Sequence, residues 1–390
     1  MKHIIYILLY PFYKLIFFLL EFFNLRLAQI DNSRFGHTTN FVEGYLSSLE
    51  NKKEERKLIF FFTSVSANKQ IDKMVKRVLK ISKIGFIYQI FRKCSIYWNQ
   101  GEHLFFEIGD FALQKTFSKN IEYNYKGPKL NFSDKEKKRA MNYLENFGLK
   151  KNDKWICIHN RDSKYLDEKF SNSNSRYHDY RDFSVNSFEK AANFFSEQGY
   201  YVFRMGVNQK EKVEFQNKKI IDYSNSKEKN PFLDVFLLSN SNFYFGSGSG
   251  TSNVSMCFQR KCYGINYVIT DFNRACTPYL FIFKKIRNIK TQKFLSLKEI
   301  LESDFCNKIV NNDLTKYGHE LVENTNDDVL SLGQEALRDS EGKNVYDEES
   351  VFLLNKFRNI YHKYQDKEKK NLSFLKVSPA FLKNNQYLLN

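Results

Sequence analysis

The sequence has no CxxC pair and no Cys/His spacing suited to a bound metal: its six cysteines, Cys94, Cys157, Cys257, Cys262, Cys276 and Cys306, are scattered over 390 residues. That dispersal argues against a structural zinc and makes a reducing cytosol the simplest setting. Cys157, inside "WICIH", reads as a small core residue. Also missing are HExxH, GxSxG, GxxxxGK[ST] and the protein-kinase set, so the commonest metalloprotease, hydrolase, P-loop and kinase chemistries find no support. No internal repeat or low-complexity tract is present. Acidic residues are in short supply, with 44 Asp and Glu against 61 Lys and Arg and a net charge of +17. Such an excess favours an anionic partner, whether a phosphorylated ligand, nucleic acid or an acidic lipid surface, although much of it is spread over Lys-rich helices as a solvated basic face. Nucleic acid is the weakest of these, because no reading motif is present and the aromatics sit in apolar runs.

Apolar residues are plentiful: 42% are hydrophobic and 17% aromatic, enough at this length to fill the cores of two ordinary domains. The most apolar stretch comes first, "MKHIIYILLYPFYKLIFFLLEFF", interrupted by Pro11, Lys14 and Glu21. It fits neither the simple spanning helix of about 20 apolar residues nor a secretory signal ending in a small-residue cleavage site. Residues 1 to 24 read as an uncleaved segment in or across a membrane interface, with a single spanning helix or a helix buried against the rest of the protein as alternatives.

Beyond it the pattern alternates. "LRLAQI" is a strand, "DNSRFGHTTN" a loop and "FVEGYLSSLE" a helix; "KLIFFFT" and "SANKQIDKMVKRVLKIS" repeat the unit, the latter placing Ile71, Met74, Val75 and Val78 at helical spacing. Residues 85 to 131 are left open. "FSDKEKKRAMNYLENFGL" is a helix with Ser133 as its cap and Gly148 at its end. Then come strand "KWICIHN", helix "SVNSFEKAANFFSEQG", strands "YYVFRM" and "KIID", helix "PFLDVFLLSN", strand "NFYF", a glycine loop opening a helix, and strand "KCYGIN". Repeated β/α units with short connections predict an α/β protein with parallel, doubly wound sheets, whose ligands bind beyond the carboxyl ends of the strands.

Three polar loops fall on that edge. "YFGSGSGTSN" sets Gly246, Gly248 and Gly250 among Ser247, Ser249, Thr251 and Ser252, a strand-to-helix turn suited to a phosphate through backbone N–H groups and the helix dipole. Gly248 is expected at a positive-φ position there. "ICIHNRDSKYLD" ends a strand in His159 and Arg161, the latter able to grip a diphosphate with its planar fork, or else to pair with Asp162 or Asp182 and pin loops. "RMG" supplies Arg204 and Gly206, with Asp222 or Asp234 as alternative structural partners of the arginine. "RYHDYRDFS" adds His178 as a loop residue and Asp182 or Ser184 as a helix cap. Nearer the N-terminus, "RFGHTTN" offers Gly36 and His37, the histidine able to act as a base at neutral pH.

Together "RFGHTTNFVEGYL", "SANKQIDKMVKR", "ICIHNRDSKYL" with "YHDYRD", "YYVFRMG", "FGSGSGTS" and the closing "VSPAFLKNNQYLL" resemble, in this order, a group of bacterial glycosyltransferases of GT-B type. More distantly, Gly36 in "RFGH" and the "IHNR" pattern are similar to the GxxGN and HxR elements of fucosyltransferase-like enzymes, with His37 standing where that pattern has Asn and a single Arg where many relatives have two.

The resemblance implies two Rossmann-like domains: an acceptor-side domain over 25 to 130, a nucleotide-sugar-binding domain over 131 to 320, and a helical tail over 321 to 390 packing back on the first. It implies transfer of a sugar from a nucleotide-diphosphate donor to a glycan or lipid-linked acceptor, in surface polysaccharide synthesis at the cytoplasmic face of the cell membrane. No metal is expected, since no DxD loop is present. Arg161, with the backbone N–H groups of Gly246 to Ser252, would stabilise the leaving diphosphate; Gly36, His159, Arg204 and Gly206 would help hold the donor; His37 or Asp162 would be the base. A membrane-associated glycan- or nucleotide-binding protein without turnover is the alternative.

Overall fold

Two sets of parallel strands account for the β/α periodicity. The computed structural model describes residues 2–49, 57–109, 127–162, 179–207, 209–269, 279–311, 314–343, 345–364 and 376–390. The chain divides into two units, Met1–Glu136 and Lys137–Asn390.

The first unit opens with α1 (Lys2–Phe22), which continues through Pro11. It goes on through β1 (Leu25–Ile30), α2 (Phe35–Leu49), β2 (Lys57–Phe62), α3 (Lys69–Val78), β3 (Ile81–Ser82), α4 (Gly85–Trp98) and β4 (Phe105–Glu107) to the start of α5 (Asp134–Asn146). The strands pair in parallel in the order β3-β2-β1-β4. Asn68 caps α3 by accepting the N–H groups of Gln70 and Ile71, and the helix buries Ile71, Met74 and Val75. Of the open stretch from 85 to 131, α4 and β4 are now placed, while 110 to 126 lie outside the described residues. Asn99 and Gly101, both at positive φ, turn the chain out of α4. α2 starts earlier than its sequence implied, so Gly36 and His37 lie in its first turn and not in a loop.

The second unit contains β5 (Trp155–His159), α6 (Glu189–Glu197), β6 (Tyr201–Arg204), β7 (Ile220–Ile221), α7 (Pro231–Asn240), β8 (Phe243–Gly246), α8 (Gly250–Cys257), β9 (Lys261–Tyr267) and β10 (Leu280–Phe283). Asn230 caps α7, with Pro231 at its first position, as expected of a residue with no N–H to satisfy. The six strands are parallel in the order β10-β9-β8-β5-β6-β7. Counted from β5, this is the doubly wound order in which the direction of winding reverses between the first and fourth strands, here β5 and β8. The expectation of two Rossmann-like α/β units with parallel sheets is met.

β11 (Lys285–Asn288) and β12 (His319–Val322) form a small antiparallel pair, and α9 (Leu297–Glu302), α10 (Asn326–Ser340), α11 (Glu348–Tyr364) and α12 (Pro379–Asn384) complete the unit. Of the last seventy residues, expected to pack back on the first unit, the described helices join the core of the second: Val329, Leu332, Phe357, Tyr361, Phe381 and Leu388 are buried with the strands. Val377 also forms a single bridge to Phe281, whose N–H donates to Lys376 O (3.0 Å) and whose carbonyl accepts from Ser378 N (2.9 Å).

Glu136 closes the first unit. Its buried carboxylate accepts from Arg77 Nη2 (2.5 Å), Gln70 Nε2 (3.1 Å) and Ser133 N (2.9 Å) and pairs with Lys73 Nζ (2.8 Å). Burial opposes its ionisation, but these donors outweigh that and hold its pKa well below the usual range. Glu136→Gln is therefore expected to lose about 1–3 kcal/mol at neutral pH. Because the folded-state pKa is depressed, this stabilisation is present above the unfolded value near 4.5 and fades as pH falls. Urea unfolding of parent and variant across pH tests it: the gap should be widest at neutral pH and close in acid.

Candidate functional site

The reversal between β5 and β8 brings the histidine strand and the glycine loop side by side. His159 is in register with Gly246, and an added Cβ on Gly246 would lie 2.2 Å from the His159 carbonyl oxygen, so the two backbones meet only because this residue is glycine. Ser247 N–H donates to the same carbonyl at 3.0 Å.

From there the loop is tied from beneath. Tyr244, itself buried, donates its hydroxyl to Ser247 O (2.8 Å) and meets Thr251 Oγ1 at 3.1 Å, while Thr251 Oγ1 and Ser249 Oγ are 2.7 Å apart. Ser249 caps α8, and Ser252 accepts from Ser249 N (3.0 Å) and donates to Ser249 O (2.8 Å). The hydroxyls thus hold the loop's shape, and Gly248 to Thr251 stay half-buried at its surface. The first-turn N–H groups of Gly250 and Thr251 have no carbonyl of their own helix to donate to, while that of Ser252 donates to the Ser249 side chain. Gly248 is not at a positive φ, contrary to expectation; an added Cβ there would meet the Tyr267 hydroxyl at 2.9 Å.

His159 is buried, and its Nδ1 lies 2.9 Å from Met205 O. Burial, reinforced by Arg204, Arg161 and Lys229, lowers its pKa to about 4, against the Met205 bond that raises it. The ring is neutral at pH 7, so Nδ1 carries the proton to Met205 O and Nε2 is an acceptor.

Arg161 pairs with Asp182 through a short contact, alongside a parallel bridge between the two residues. This is the loop-pinning pair anticipated as the alternative for Arg161. Burial raises the Asp182 pKa to about 6; Arg161 opposes it, and Asp179 and Asp162 add to it. Lys284, buried at the end of β10, donates from Nζ to Asp182 O at 2.7 Å, and burial lowers its pKa against the pull of Glu323 and Asp182. A carboxylate oxygen of Asp162 accepts from Lys210 N at 2.8 Å.

Arg204 does not line this site. Its side chain is fully buried, and every nitrogen of its fork is taken: Asn160 Oδ1 accepts from Nε (3.2 Å) and Nη2 (3.0 Å), Gln209 Oε1 from Nη2 (3.1 Å), and Glu211 O, Asp222 Oδ1 and Ser224 Oγ from Nη1 (3.0, 3.1 and 2.8 Å). Asp222 is its ionic partner, whereas Asp234 pairs with Lys229. Gly206, at φ +144°, turns the chain back over Gln209, and an added Cβ would lie 2.6 Å from that side chain. Both residues shape the edge from inside, which corrects the expectation that they touch a donor.

Gly36 and His37 belong to the first unit. His37 is exposed, its ring 5.3 Å from Phe41, beside the buried Thr38 and Thr39. His178 lies outside the described residues. Ser184, not Asp182, caps the helical turn that follows, accepting from Asn186 N. Asn160, Tyr244, Tyr267 and Lys284 were not singled out from sequence; the one available signal was a lysine ending the apolar run "LFIF", which is β10.

No protein-family model matches the chain, and no curated protein matches its sequence. Among solved structures, the chain is similar to a glycosyl transferase family 9 protein from Veillonella parvula, with 10% identity over 62% of this chain and 81% of that one and a TM-score of 0.41. It is also similar to ADP-heptose LPS heptosyltransferase II of E. coli, with 11% identity over 61% and 84% and a TM-score of 0.38. A third likeness is to UDP-GlcNAc 2-epimerase of Methanocaldococcus jannaschii, in complex with UDP-GlcNAc and UDP, with 8% identity over 62% and 83% and a TM-score of 0.28. Likenesses this distant assign neither activity nor ligand.

The two glycines should respond differently to a methyl group. Gly246→Ala forces β5 and β8 apart at backbone and is expected to cost about 1–3 kcal/mol, as overpacking does. Gly248→Ala presses only on the Tyr267 ring, so Tyr267→Phe should recover part of its loss. Urea denaturation of the three variants decides; a milder Gly246→Ala would contradict the close approach.

Proposed function

We propose that the protein is a glycosyltransferase of GT-B type that moves a sugar from a nucleotide-diphosphate donor to a glycan or lipid-linked acceptor at the cytoplasmic face of a bacterial membrane, in surface polysaccharide synthesis. One observation carries the reading: the winding reversal between β5 and β8 places Arg161, neutral His159 and the half-buried loop before α8 on one sheet edge, where α/β sheets hold their ligands. The donor diphosphate lies over Gly248 to Thr251, where the first-turn N–H groups and the dipole of α8 meet it. Arg161 is drawn from Asp182 to the diphosphate and offsets the charge that grows on the leaving group as the glycosidic bond breaks. His159 Nε2 accepts a hydroxyl of the donor. His37 or Asp162 takes the acceptor's proton.

A binding protein without turnover is the second reading, favoured by the engagement of Arg161 with Asp182 and of Asp162 with the Lys210 N–H. Release of free nucleotide from a panel of nucleotide sugars separates the two.

Calorimetric titration of nucleoside diphosphate tests the donor site. Arg161→Ala is expected to fold and to bind roughly 10- to 150-fold more weakly, the worth of a hydrogen bond to a charged group. Arg161→Lys should recover only part, because an ammonium cannot reproduce the fork. Arg204→Ala, in contrast, removes the buried anchor shared by Asn160, Gln209, Glu211, Ser224 and the half-buried Asp222 and is expected to lose about 3–5 kcal/mol of stability. Parent-like binding by folded Arg161→Ala would remove the diphosphate from this edge.

Turnover is further expected to proceed without a divalent metal, the leaving charge being met by Arg161 and the α8 N-terminus. Assay after EDTA treatment checks this; activity lost in EDTA and restored by Mn or Mg would refute it.

A further inference from the structure

Helix α1 is apolar on two opposite faces, and the protein uses one. Tyr6, Leu9, Tyr13, Ile16, Phe17 and Leu20, spaced three and four apart, turn inward onto Tyr88, Phe91, Cys94 and Leu104 of the first unit. Tyr6 stacks on Tyr97 (4.3 Å between centroids) and Tyr10 meets Trp98 edge-on (4.9 Å), both from α4. On the far side Ile4, Leu8, Phe12, Leu15, Leu19 and Phe22 repeat the same spacing and are 41–69% exposed. An outward helix face of a soluble domain is ordinarily polar, and a contiguous bare stripe of this length marks an interaction surface.

Polar ties hold the helix against its own unit from end to end. His3 Nδ1 is 2.8 Å from the Tyr97 hydroxyl, Tyr13 donates to Gln100 O (2.7 Å), Lys14 donates to Gln100 Oε1 (2.9 Å), and Glu21 pairs with His103. A perpendicular span would carry these partners, and with them α4, into hydrocarbon, where such groups are costly. The helix is as long as a span, but its docked face forbids one.

The neighbouring helix and the turn leading into it add charge. On α4, Phe86, Ile90, Lys93 and Tyr97 form an exposed stripe, Lys80 and Lys83 are exposed just before the helix, and residues 79 to 98 contain four Lys and Arg and no acid. Apolar stripe beside basic run is the composition that binds an anionic lipid surface. We propose that α1 lies flat in the interface of an anionic bilayer, its outer stripe sunk among the acyl chains while its inner face stays docked on α4, so that the protein is bound in the membrane plane and does not cross it. This deepens the membrane-surface part of the function proposed above; its test reads lipid binding without turnover, so the two can fail separately.

The full chain is floated with vesicles of phosphatidylcholine alone or mixed with phosphatidylglycerol. Strong binding to the mixed vesicles is expected, at least tenfold weaker for the combined variant Leu8→Glu, Phe12→Glu, Leu15→Glu, with circular dichroism unchanged. Equal binding to phosphatidylcholine alone overturns the anionic preference. Failure to bind either, whether the protein sediments as a monomer or pairs with a second copy through this face, overturns the whole proposal. Depth is read with an environment-sensitive label on Ile4→Cys, Phe12→Cys or Phe22→Cys, quenched from lipids labelled at different depths, with unsubstituted protein as background. A flat helix puts all three at one shallow depth. A spanning helix puts Phe12 deepest, by about 12–15 Å at 1.5 Å per residue, and that result refutes the in-plane arrangement.

Discussion

A guanidinium with no access to water sits beneath the carboxyl edge of the second sheet, and most of that edge is referred to it. Arg204 reaches Asn160 at the end of β5, Gln209 and Glu211 in the turn after β6, and Asp222 and Ser224 after β7. Asn160 passes the constraint on by donating to Phe183 O (3.0 Å), next to the Asp182 that holds Arg161. Glu211 passes it on again, accepting from Val185 N (2.7 Å) at the start of the helical turn before α6. A buried charge is tolerated only when its hydrogen bonds are complete, so the arginine fixes three loops at once or not at all.

Around this anchor the edge divides its labour by depth. Buried side chains shape it: Arg204 and Asn160 below, Tyr244 under the glycine loop, Lys284 behind Asp182. Nearer the surface lies the backbone of Gly248 to Thr251, with Arg161, 12% exposed, held against Asp182 just below it. Such an arrangement suits a ligand recognised by charge and shape, since preorganised donors lose little freedom on binding.

Strand and helix periodicity was legible because each β/α unit carries its own punctuation: Asn68, Ser133 and Asn230 at helix starts, Gly148 and Gly199 at positive φ after helix ends. The parallel sheets followed from that alternation. The role of Arg204 was not legible, because an arginine closing a strand looks the same in sequence whether it turns toward a ligand or into the fold; its five acceptors come from residues 160 to 224 and meet only in three dimensions. Gly248 misled for a related reason, since a glycine demanded by a neighbour's ring leaves the same mark as one demanded by φ. Beyond "KCYGIN" the chain gave no clear pattern: β10 is four apolar residues without alternation, and the tail's apolar faces did not reveal which core they join. Pro11 interrupts the apolar run in sequence, yet α1 continues through it, with Tyr6, Tyr13 and Leu20 packed inward on either side.

The bridge from Val377 to Phe281 places the end of the chain along the outermost strand of the second sheet. Without it, "LFIF" would offer a flat, uncharged row of N–H and C=O groups, the kind of template onto which other chains stack. The opposite margin, β7, is only two residues long and offers little purchase. Residues 376 to 378 thus act as a guard against self-association, a segment from outside the six-stranded order that keeps the sheet from recruiting its neighbours.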